Sequence, residues 1–381
     1  MVSLFIKSDA LGDFLKVAVS GCPPSLVNRD FAVQNANTTM KKGKVLVTGG
    51  AGFIGSHTTV ELIEAGYEVV IVDDLSNSEQ EVIEGITEIT GVPVDFEEAD
   101  CTDREALDEI FTKYKFDSVI HFAASKAVGE SMENPLLYYQ NNLGSLINVL
   151  ELMVEYGVMN LVFSSSATVY GQPETLPVTE NTPRQPANSP YGNTKQISED
   201  IIRDSVRAYY GLRAIALRYF NPIGAHPSAL IGELPKGVPN NLIPFITQTA
   251  AGIRPELNVF GNDYHTPDGS AVRDYIDVVD LAKAHVAAME RMRSGVGQEA
   301  YKYFNIGTGQ GLSVLELVRK FEEATGVNVP HQIVDRRPGD IEQIWADTTL
   351  ANKELDWKAE RPIEETLRAA WAWEKHVRHI R

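Results

Sequence analysis

Tyr191 and Lys195 stand four residues apart in Tyr191-Gly192-Asn193-Thr194-Lys195, directly after Pro190. Proline suits the first turn of a helix, and the i, i+4 spacing puts the phenol and the ammonium on one helical face. A free tyrosine ionises near pH ~10 and is a poor base at neutrality. A neighbouring ammonium favours the phenolate, as does the positive charge of an oxidised nicotinamide, so the pair makes a usable acid/base. Lys195 can also hold a nicotinamide ribose. Ser166 ends an apolar run, Asn160–Ser166, and its hydroxyl can share the proton of a substrate hydroxyl, with Thr168 two residues on. A tyrosine four residues before a lysine is, by itself, as readily a solvated surface pair. The serine-ended strand and a dinucleotide-binding pattern upstream make it a catalytic candidate.

That pattern runs from Lys44 to Asp74. Lys44–Thr48 is an apolar run ending in Gly49-Gly50-Ala51-Gly52-Phe53-Ile54-Gly55; a helical pattern follows, then Glu68-Val69-Val70-Ile71-Val72 and Asp73-Asp74. Read from Gly50, the turn fits G-x-G-x-x-G, and Asp73 lies close to the expected ~20 residues beyond it. Small residues let the backbone approach a pyrophosphate, whose charge meets the amides and positive end of the helix beginning near Gly52. Asp73 is placed to accept hydrogen bonds from ribose hydroxyls and would repel a 2′-phosphate, which favours NAD over NADP.

Apolar strands and helices alternate onward. Residues 93–101, 116–124, 160–166 and 213–219 read as the third to sixth strands, with helices at 103–113 and 135–156. This is the pattern of an α/β protein: a doubly wound parallel sheet, Rossmann-like, covered on both faces. Ligands bind at the carboxyl ends of such strands; Ala123 and Ala124 would leave room there and Lys126 would point toward it. Beyond Asn221 the chain turns rich in Pro, Gly and Asn. Residues 277–291 read as a helix returning to the sheet and Tyr303–Ile306 as a late strand; from Leu312 the pattern is mostly helical. The expected division is a poorly ordered leader at 1–39, an NAD-binding domain at 40–220 plus 276–307, and a smaller interleaved substrate lobe at 221–275 plus 308–381.

A net charge of −18 over 381 residues argues against nucleic acid or an anionic membrane as partner, while leaving room for a small anionic ligand held by a few arginines. No window approaches ~18 consecutive apolar residues. Cys22 and Cys101, the two cysteines, form no metal-ligand spacing and read as reduced cytosolic thiols. Residues 1–39 lack the basic lead and continuous apolar centre of a signal peptide, and Met40-Lys41-Lys42 reads as a natural start, so the leader is expected to be dispensable.

The set Gly49-x-x-Gly52-x-x-Gly55, Ser164-Ser165-Ser166-Ala167-Thr168-Val169-Tyr170-Gly171 and Tyr191-x-x-x-Lys195 resembles the extended short-chain dehydrogenase/reductase superfamily. Within it, Phe220-Asn221-Pro222-Ile223-Gly224-Ala225-His226-Pro227-Ser228, Pro239-Asn240-Asn241-Leu242, Phe260-Gly261-Asn262-Asp263-Tyr264 and Val272-Arg273-Asp274-Tyr275 resemble the UDP-glucose 4-epimerase family, from about Lys44 to the C-terminus. The resemblance implies that Phe53, Ile54, Asp73, Asp74, Leu75, Ser76, Asn77, Ser78, Asp100, Cys101, Phe122, Ala123, Ala124, Ser125, Lys126, Asn141 and Phe220 line NAD with the glycine loop. It implies Ser166, Tyr191 and Lys195 as the catalytic set, which also touches the cofactor. It implies that Asn221, Asn241, Leu242, Asn258, Val259, Phe260, Arg273, Arg337 and Asp340 hold a UDP-sugar, with Ser166, Thr168 and Tyr191 near the sugar. Arg273 and Arg337 are guanidinium forks suited to a diphosphate; the plainer reading is a surface ion pair with Asp274 or Asp340.

By the same resemblance, the phenolate removes the C4 hydroxyl proton while C4 passes a hydride to NAD; the 4-keto sugar turns over, and the hydride returns to its other face. NAD then stays bound as a catalyst, and apolar stretches at 136–154 and 197–209 would pack across a homodimer as in the resembling family, or equally form intramolecular core. Ala167 stands where the related dehydratases carry an acidic pair, which argues against loss of water. Ser125 replaces an apolar residue of the cofactor wall. Ile344 matches the position of a bulky tyrosine in glucose/galactose-only members, which predicts efficient turnover of UDP-galactose with partial acceptance of the N-acetyl analogue. The alternatives are a UDP-N-acetylglucosamine or UDP-pentose 4-epimerase, and a non-catalytic NAD-sensing regulator on the same fold.

Overall fold

The computed structural model describes residues 42–295, 297, 299–337 and 340–380. The leader expected at 1–39 lies outside the described residues. The first half alternates without interruption: β1 (Lys44–Thr48), α1 (Phe53–Glu64), β2 (Glu68–Asp73), α2 (Glu81–Thr90), β3 (Asp95–Glu98), α3 (Arg104–Lys113), β4 (Ser118–His121), α4 (Val128–Glu133), α5 (Pro135–Tyr156), β5 (Asn160–Ser166), a 3₁₀ turn (Ala167–Tyr170), α6 (Pro190–Ala208) and β6 (Arg213–Tyr219). There follow β7 (Asn221–Ile223), α7 (Leu242–Ala250), β8 (Leu257–Phe260), β9 (Val272–Arg273), β10 (Tyr275–Asp277), α8 (Val278–Ser294) and β11 (Tyr301–Ile306). The chain closes with β12 (Leu312–Ser313), α9 (Val314–Thr325), β13 (His331–Val334), β14 (Gln343–Ile344), α10 (Thr349–Glu354) and α11 (Ile363–Val377).

Seven strands form one sheet in the order β3-β2-β1-β4-β5-β6-β11, all parallel. The chain runs outward from β1 in both directions, so the switch point lies between β1 and β4, where such sheets open a ligand crevice. Successive strand residues alternate between two cores. Val45, Val47, Ile71, Ile120, Val162, Ile215 and Leu217 face α1 and α8. Leu46, Val70, Val119, Leu161, Phe163 and Ala216 face α3, α5 and α6. Both faces are dry, which is why these strands read as continuous apolar runs.

The helices start where their caps dictate. Asp103 accepts from the amides of Glu105 and Ala106 ahead of α3, and Ser189 accepts from Gly192 ahead of α6 with Pro190 at its first position. Ser313 and Glu316 form a capping box ahead of α9.

The remaining short strands build the second lobe: β10 with β7, β13 with β8, and β9 between β12 and β14. Its core gathers Ile246, Leu257, Val259, Leu317, Phe321 and Leu367. Two features depart from the pattern read in the sequence. The region after Leu312 holds three strands among its helices, each too short to show a period. And α10 does not stay with the second core: Ala351, Leu355 and Trp357 are buried in the α1/α8 core of the large sheet, with the Trp357 indole donating to the Asp280 carbonyl at 3.0 Å.

The turn between β1 and α1 has no room for side chains. A Cβ on Gly55 would lie 2.2 Å from the Gly49 carbonyl oxygen, and one on Gly49 (φ +69°) would lie 2.8 Å from the Ala123 amide nitrogen. Both neighbours are backbone and cannot step aside. Gly55→Ala is therefore expected to lose about 2 kcal/mol or more of stability in urea unfolding, in the range of backbone-strain and overpacking changes.

Candidate active site

At the carboxyl end of β1 the chain turns through Gly49–Gly52 into α1, with Gly52 as N-cap. A Cβ on Gly52 would meet only the Gly49 carbonyl, at 3.2 Å; its other side is open to a ligand. The first amides of a helix have no intrahelical acceptor and carry the positive end of its dipole. Such a turn is suited to a pyrophosphate. Asp73, at the end of β2, is buried and accepts from Ala51 N (3.1 Å), Leu75 N (3.0 Å) and Ser78 Oγ (2.7 Å). Burial pushes its carboxyl up, and those three hydrogen bonds pull it back only in part. A carboxylate accepts about four hydrogen bonds, so one site is left for a ribose hydroxyl. Asp74 is exposed and caps its own turn through Ser76, whose amide and hydroxyl it accepts. Asn77 is exposed beside them, and Leu75 lies half-buried with φ +54°.

The opposite wall follows β4. Ser125, where an apolar residue was the expectation, is wired in: its amide donates to Asn142 Oδ1 (2.8 Å) and its hydroxyl accepts from Asn141 Nδ2 (2.9 Å). Asn142 also donates to Thr194 Oγ1 on α6 (3.1 Å), tying this loop to the catalytic helix. Lys126 does not project freely; it pairs with Glu233 at 3.2 Å. Phe122 packs at a tilt of 52° against buried His285, ring centroids 4.8 Å apart. Asp100 caps the turn to Thr102 (2.7 Å), and Cys101 is buried in the sheet core with its thiol pushed up by burial.

The acid/base pair sits between these walls. Tyr191 and Lys195 occupy the first turns of α6, with the half-buried Tyr191 beside Ser166 at the end of β5. Desolvation pushes the phenol up to about 12, with the Ser166 hydroxyl opposing. Lys195 is buried, its ammonium donates to the Ser164 carbonyl at 2.8 Å, and it lies 5.9 Å from the Tyr191 ring centre. Burial pulls it down to about 8, with Glu199 holding it up. So the ammonium is aimed at the strand, and desolvation outweighs its help to the phenol. Beneath it, His121 is held neutral, its pKa about 3 through burial first and Lys195 second, with Nδ1 2.8 Å from Thr48 Oγ1. The Thr168 hydroxyl is buried and without a protein partner.

Below Lys195 on the same face of α6 is Glu199, wholly buried. It accepts from Ser165 Oγ (2.6 Å), from Arg218 Nε (2.8 Å) and Nη2 (2.5 Å), and from Arg184 Nη2. Arg218 is 2 % exposed, with its guanidinium 3.8 Å above the Tyr303 ring centre. Glu199, Arg218, Asn142 and Thr194 were not singled out from the sequence. The one available signal was the third member of the row Tyr191, Lys195, Glu199, each four residues from the last.

On the second lobe Arg273 is half-buried and pairs with Asp340 at 2.5 Å. Asp274 instead accepts from Thr308 N (2.8 Å), Thr308 Oγ1 (2.6 Å), Gly309 N (3.1 Å) and Ala346 N (3.1 Å). Arg337 lies over Phe260, 4.5 Å from the ring centre. Asn221 and Asn258 are exposed and Leu242 opens α7 behind Asn241. Val259 is buried in the lobe's core. Phe220 and Ile344 are buried together in an apolar cluster with Ala167, Val169 and Tyr170. Residues 338 and 339 of the 337–340 stretch lie outside the described residues.

A family model described as GDP-mannose 4,6 dehydratase matches residues 46–370. The UDP-glucose 4-epimerase of Bacillus subtilis (strain 168) is 53% identical over 330 residues, 87% of this chain and 96% of that protein. That of Mus musculus is 50% identical over 338 residues, 87% and 96%. The structure of the UDP-glucose 4-epimerase from Bifidobacterium longum in complex with NAD+ and UDP superimposes with a TM-score of 0.85 at 46% identity, covering 89% of this chain and all of that one. The chain belongs to the UDP-glucose 4-epimerase family.

Here Ala167 and Thr168 begin the 3₁₀ turn and place no carboxylate beside the phenol. The carboxylate that does act on this epimerase-family site is Glu199, from beneath. Removing its charge lowers the Lys195 pKa and leaves two guanidiniums facing each other. Glu199→Gln is expected to cost about 3 kcal/mol in urea unfolding and to move the alkaline limb of the kcat–pH profile to lower pH. A stability loss with an unmoved limb would make Glu199 purely structural.

Proposed function

We infer that this protein is an NAD-dependent UDP-glucose 4-epimerase that interconverts UDP-glucose and UDP-galactose through a transient 4-keto sugar. The observation that carries the reading is the juxtaposition of Tyr191 with buried Ser166 at the end of β5, beside a glycine cradle and with no acid next to it. The intact trio also weighs against a non-catalytic NAD sensor.

The residues fit NAD: the open side of Gly52 and the α1 amides would hold the pyrophosphate, and Asp73 a ribose hydroxyl. When bound, NAD supplies the hydride acceptor and donor for C4 and a positive charge beside the phenol. Ser166 shares the proton of the C4 hydroxyl and Tyr191 Oη takes it up; the same oxygen returns it after the sugar has turned. Lys195 places its amine one helical turn beyond Tyr191 on the same face, with Glu199 favouring its charged form. Arg273 and Arg337 would anchor the diphosphate while the sugar rolls over, with Asn221, Asn241 and Asn258 bridging phosphate or sugar oxygens.

We further propose a cytoplasmic homodimer acting in galactose metabolism. Met132, Leu136, Leu137 and Ile147 on α4 and α5, with Tyr209 and Tyr210 after α6, are large exposed apolar or aromatic side chains suited to a second copy. Cys101 is unpaired, in keeping with a reducing compartment. Among the described residues no helix is long and apolar enough to cross a membrane.

Purified protein assayed without added cofactor should interconvert UDP-galactose and UDP-glucose, with UDP-N-acetylgalactosamine a weaker substrate. Tyr191→Phe should retain its bound NAD and lose kcat by about 10²- to 10⁴-fold, the usual worth of a general acid/base. A Tyr191→Phe protein of undiminished turnover would overturn the assignment.

A further inference from the structure

The chain between β7 and α7 contacts α1, α2 and the loops after β2 and β4 around the mouth of the dinucleotide cleft. His226 lies against His57 in the first turns of α1, ring centres 6.3 Å apart. The Leu230 carbonyl is seated over Gly85 of α2, where a Cβ would come within 2.7 Å of it, and Ile231 is buried in the core under α1. Lys236 Nζ donates to the Leu75 carbonyl at 2.9 Å and lies 3.5 Å from Glu79 Oε1, both on the loop after β2. Glu233 pairs with Lys126, on the loop after β4, at 3.2 Å. In the sheet β1 lies between β2 and β4. A segment that touches the loops on both flanks must pass over the carboxyl end of β1, where the glycine turn opens.

We propose that residues 226–241 form a strap across the cofactor cleft, and that Lys236 is the latch that retains a bound dinucleotide. The proposal rests on the NAD reading above. The strap's other contacts are fixed. The Trp373 indole on α11 donates to the Glu233 carbonyl at 3.0 Å and packs so closely on Gly232 that a Cβ there would lie 2.5 Å from the ring. The Glu233 carboxylate also accepts from Asn241 at 2.5 Å, so one side chain joins the cofactor side, through Lys126, to the start of α7 on the sugar side. The Lys236–Glu79 pair differs in being solvated on both sides, at 43% and 49% exposure, whereas Glu233 in the Lys126 pair is 10% exposed; Lys236 makes one charge-assisted hydrogen bond and this one solvated ion pair. It is the contact that opens first. Retention matters because the reaction leaves its hydride carrier unchanged, and a carrier lost between half-reactions would strand the keto sugar.

The test is the release rate of bound NAD. Holoenzyme loaded with radiolabelled NAD is mixed with excess unlabelled NAD at low ionic strength, and the label remaining on the protein is followed. Lys236→Ala should release NAD about three- to tenfold faster than wild type, as expected for one charge-assisted hydrogen bond and an exposed ion pair. Lys236→Arg should stay within twofold of wild type. Glu79→Gln should fall between wild type and Lys236→Ala. Lys358→Ala, an exposed lysine far along the chain, should release at the wild-type rate. Equal release from wild type and Lys236→Ala overturns the latch and leaves the NAD reading standing. Wild-type protein that cannot be loaded with NAD overturns the reading itself, and the strap with it.

Discussion

A carboxylate with no exposed surface lies under the catalytic helix, and the geometry of the site depends on how it is held. Glu199 is satisfied by two arginines and a serine drawn from β5, β6 and the segment before α6. An isolated buried carboxylate would cost several kcal/mol, and even a paired one repays its desolvation only with good geometry. Hydrophobic residues of similar volume could fill the space. What they could not do is fix the rotation of α6 against the ends of β5 and β6. The bidentate Arg218 fork is directional, and Glu199 shares a helix face with Lys195 and Tyr191. The registry of the ion pair is therefore the registry of the phenol and the ammonium.

Burial then sets the character of those two groups. It raises Tyr191 and lowers Lys195, so each is pushed toward its neutral form in the folded protein. Such a site is poised: a charge arriving beside the phenol changes more here than it would in water, because the surrounding medium screens it less. The simple picture of a lysine tuning a tyrosine along the helix is incomplete. The ammonium is spent on the Ser164 carbonyl, at the strand that carries Ser166, and its first service is to hold β5 and α6 together at the reacting end.

What was legible in the sequence was what is local. The glycine turn, the β2 acid and the serine-ended strand all declare themselves within a few residues, and the Tyr191–Lys195 pair within one turn of helix. The return of α8 and β11 to the sheet was legible because each carries a full apolar face. Contacts across long separations left no such mark. Lys126 and Glu233 are 107 residues apart, and neither position reads as anything but a solvated charge. Ile344 and Val259 read as pocket residues by resemblance, yet their side chains are buried in packed clusters; a two-residue strand says nothing of which way it faces until its neighbours are in place. The allegiance of α10 and the turn after it was hidden for the same reason, since Ala351, Leu355 and Trp357 suit either core.

Asp274 shows how the two lobes are made to act as one site. It is wholly buried and lies on the link between β9 and β10, and its four acceptor contacts go to the loop after β11 and to Ala346 beyond β14. The loop after β11 belongs to the large sheet, and β14 to the small one. One carboxylate thus joins the end of the cofactor-side sheet to the strand next to Arg273. Under the proposed role of Arg273, a diphosphate anchored there would be referenced to the same framework that holds the phenol. This is what an epimerase requires: the sugar must turn about its phosphate linkage and present its second face at C4 to an unmoved reactive centre. Looseness between anchor and base would be carried directly into the distance between Tyr191 Oη and the hydroxyl it must reach, and misplacement by about 1 Å is enough to cost roughly 10²-fold in rate. The lobes can differ in architecture because their relation is fixed at this joint by directional hydrogen bonds to a buried charge.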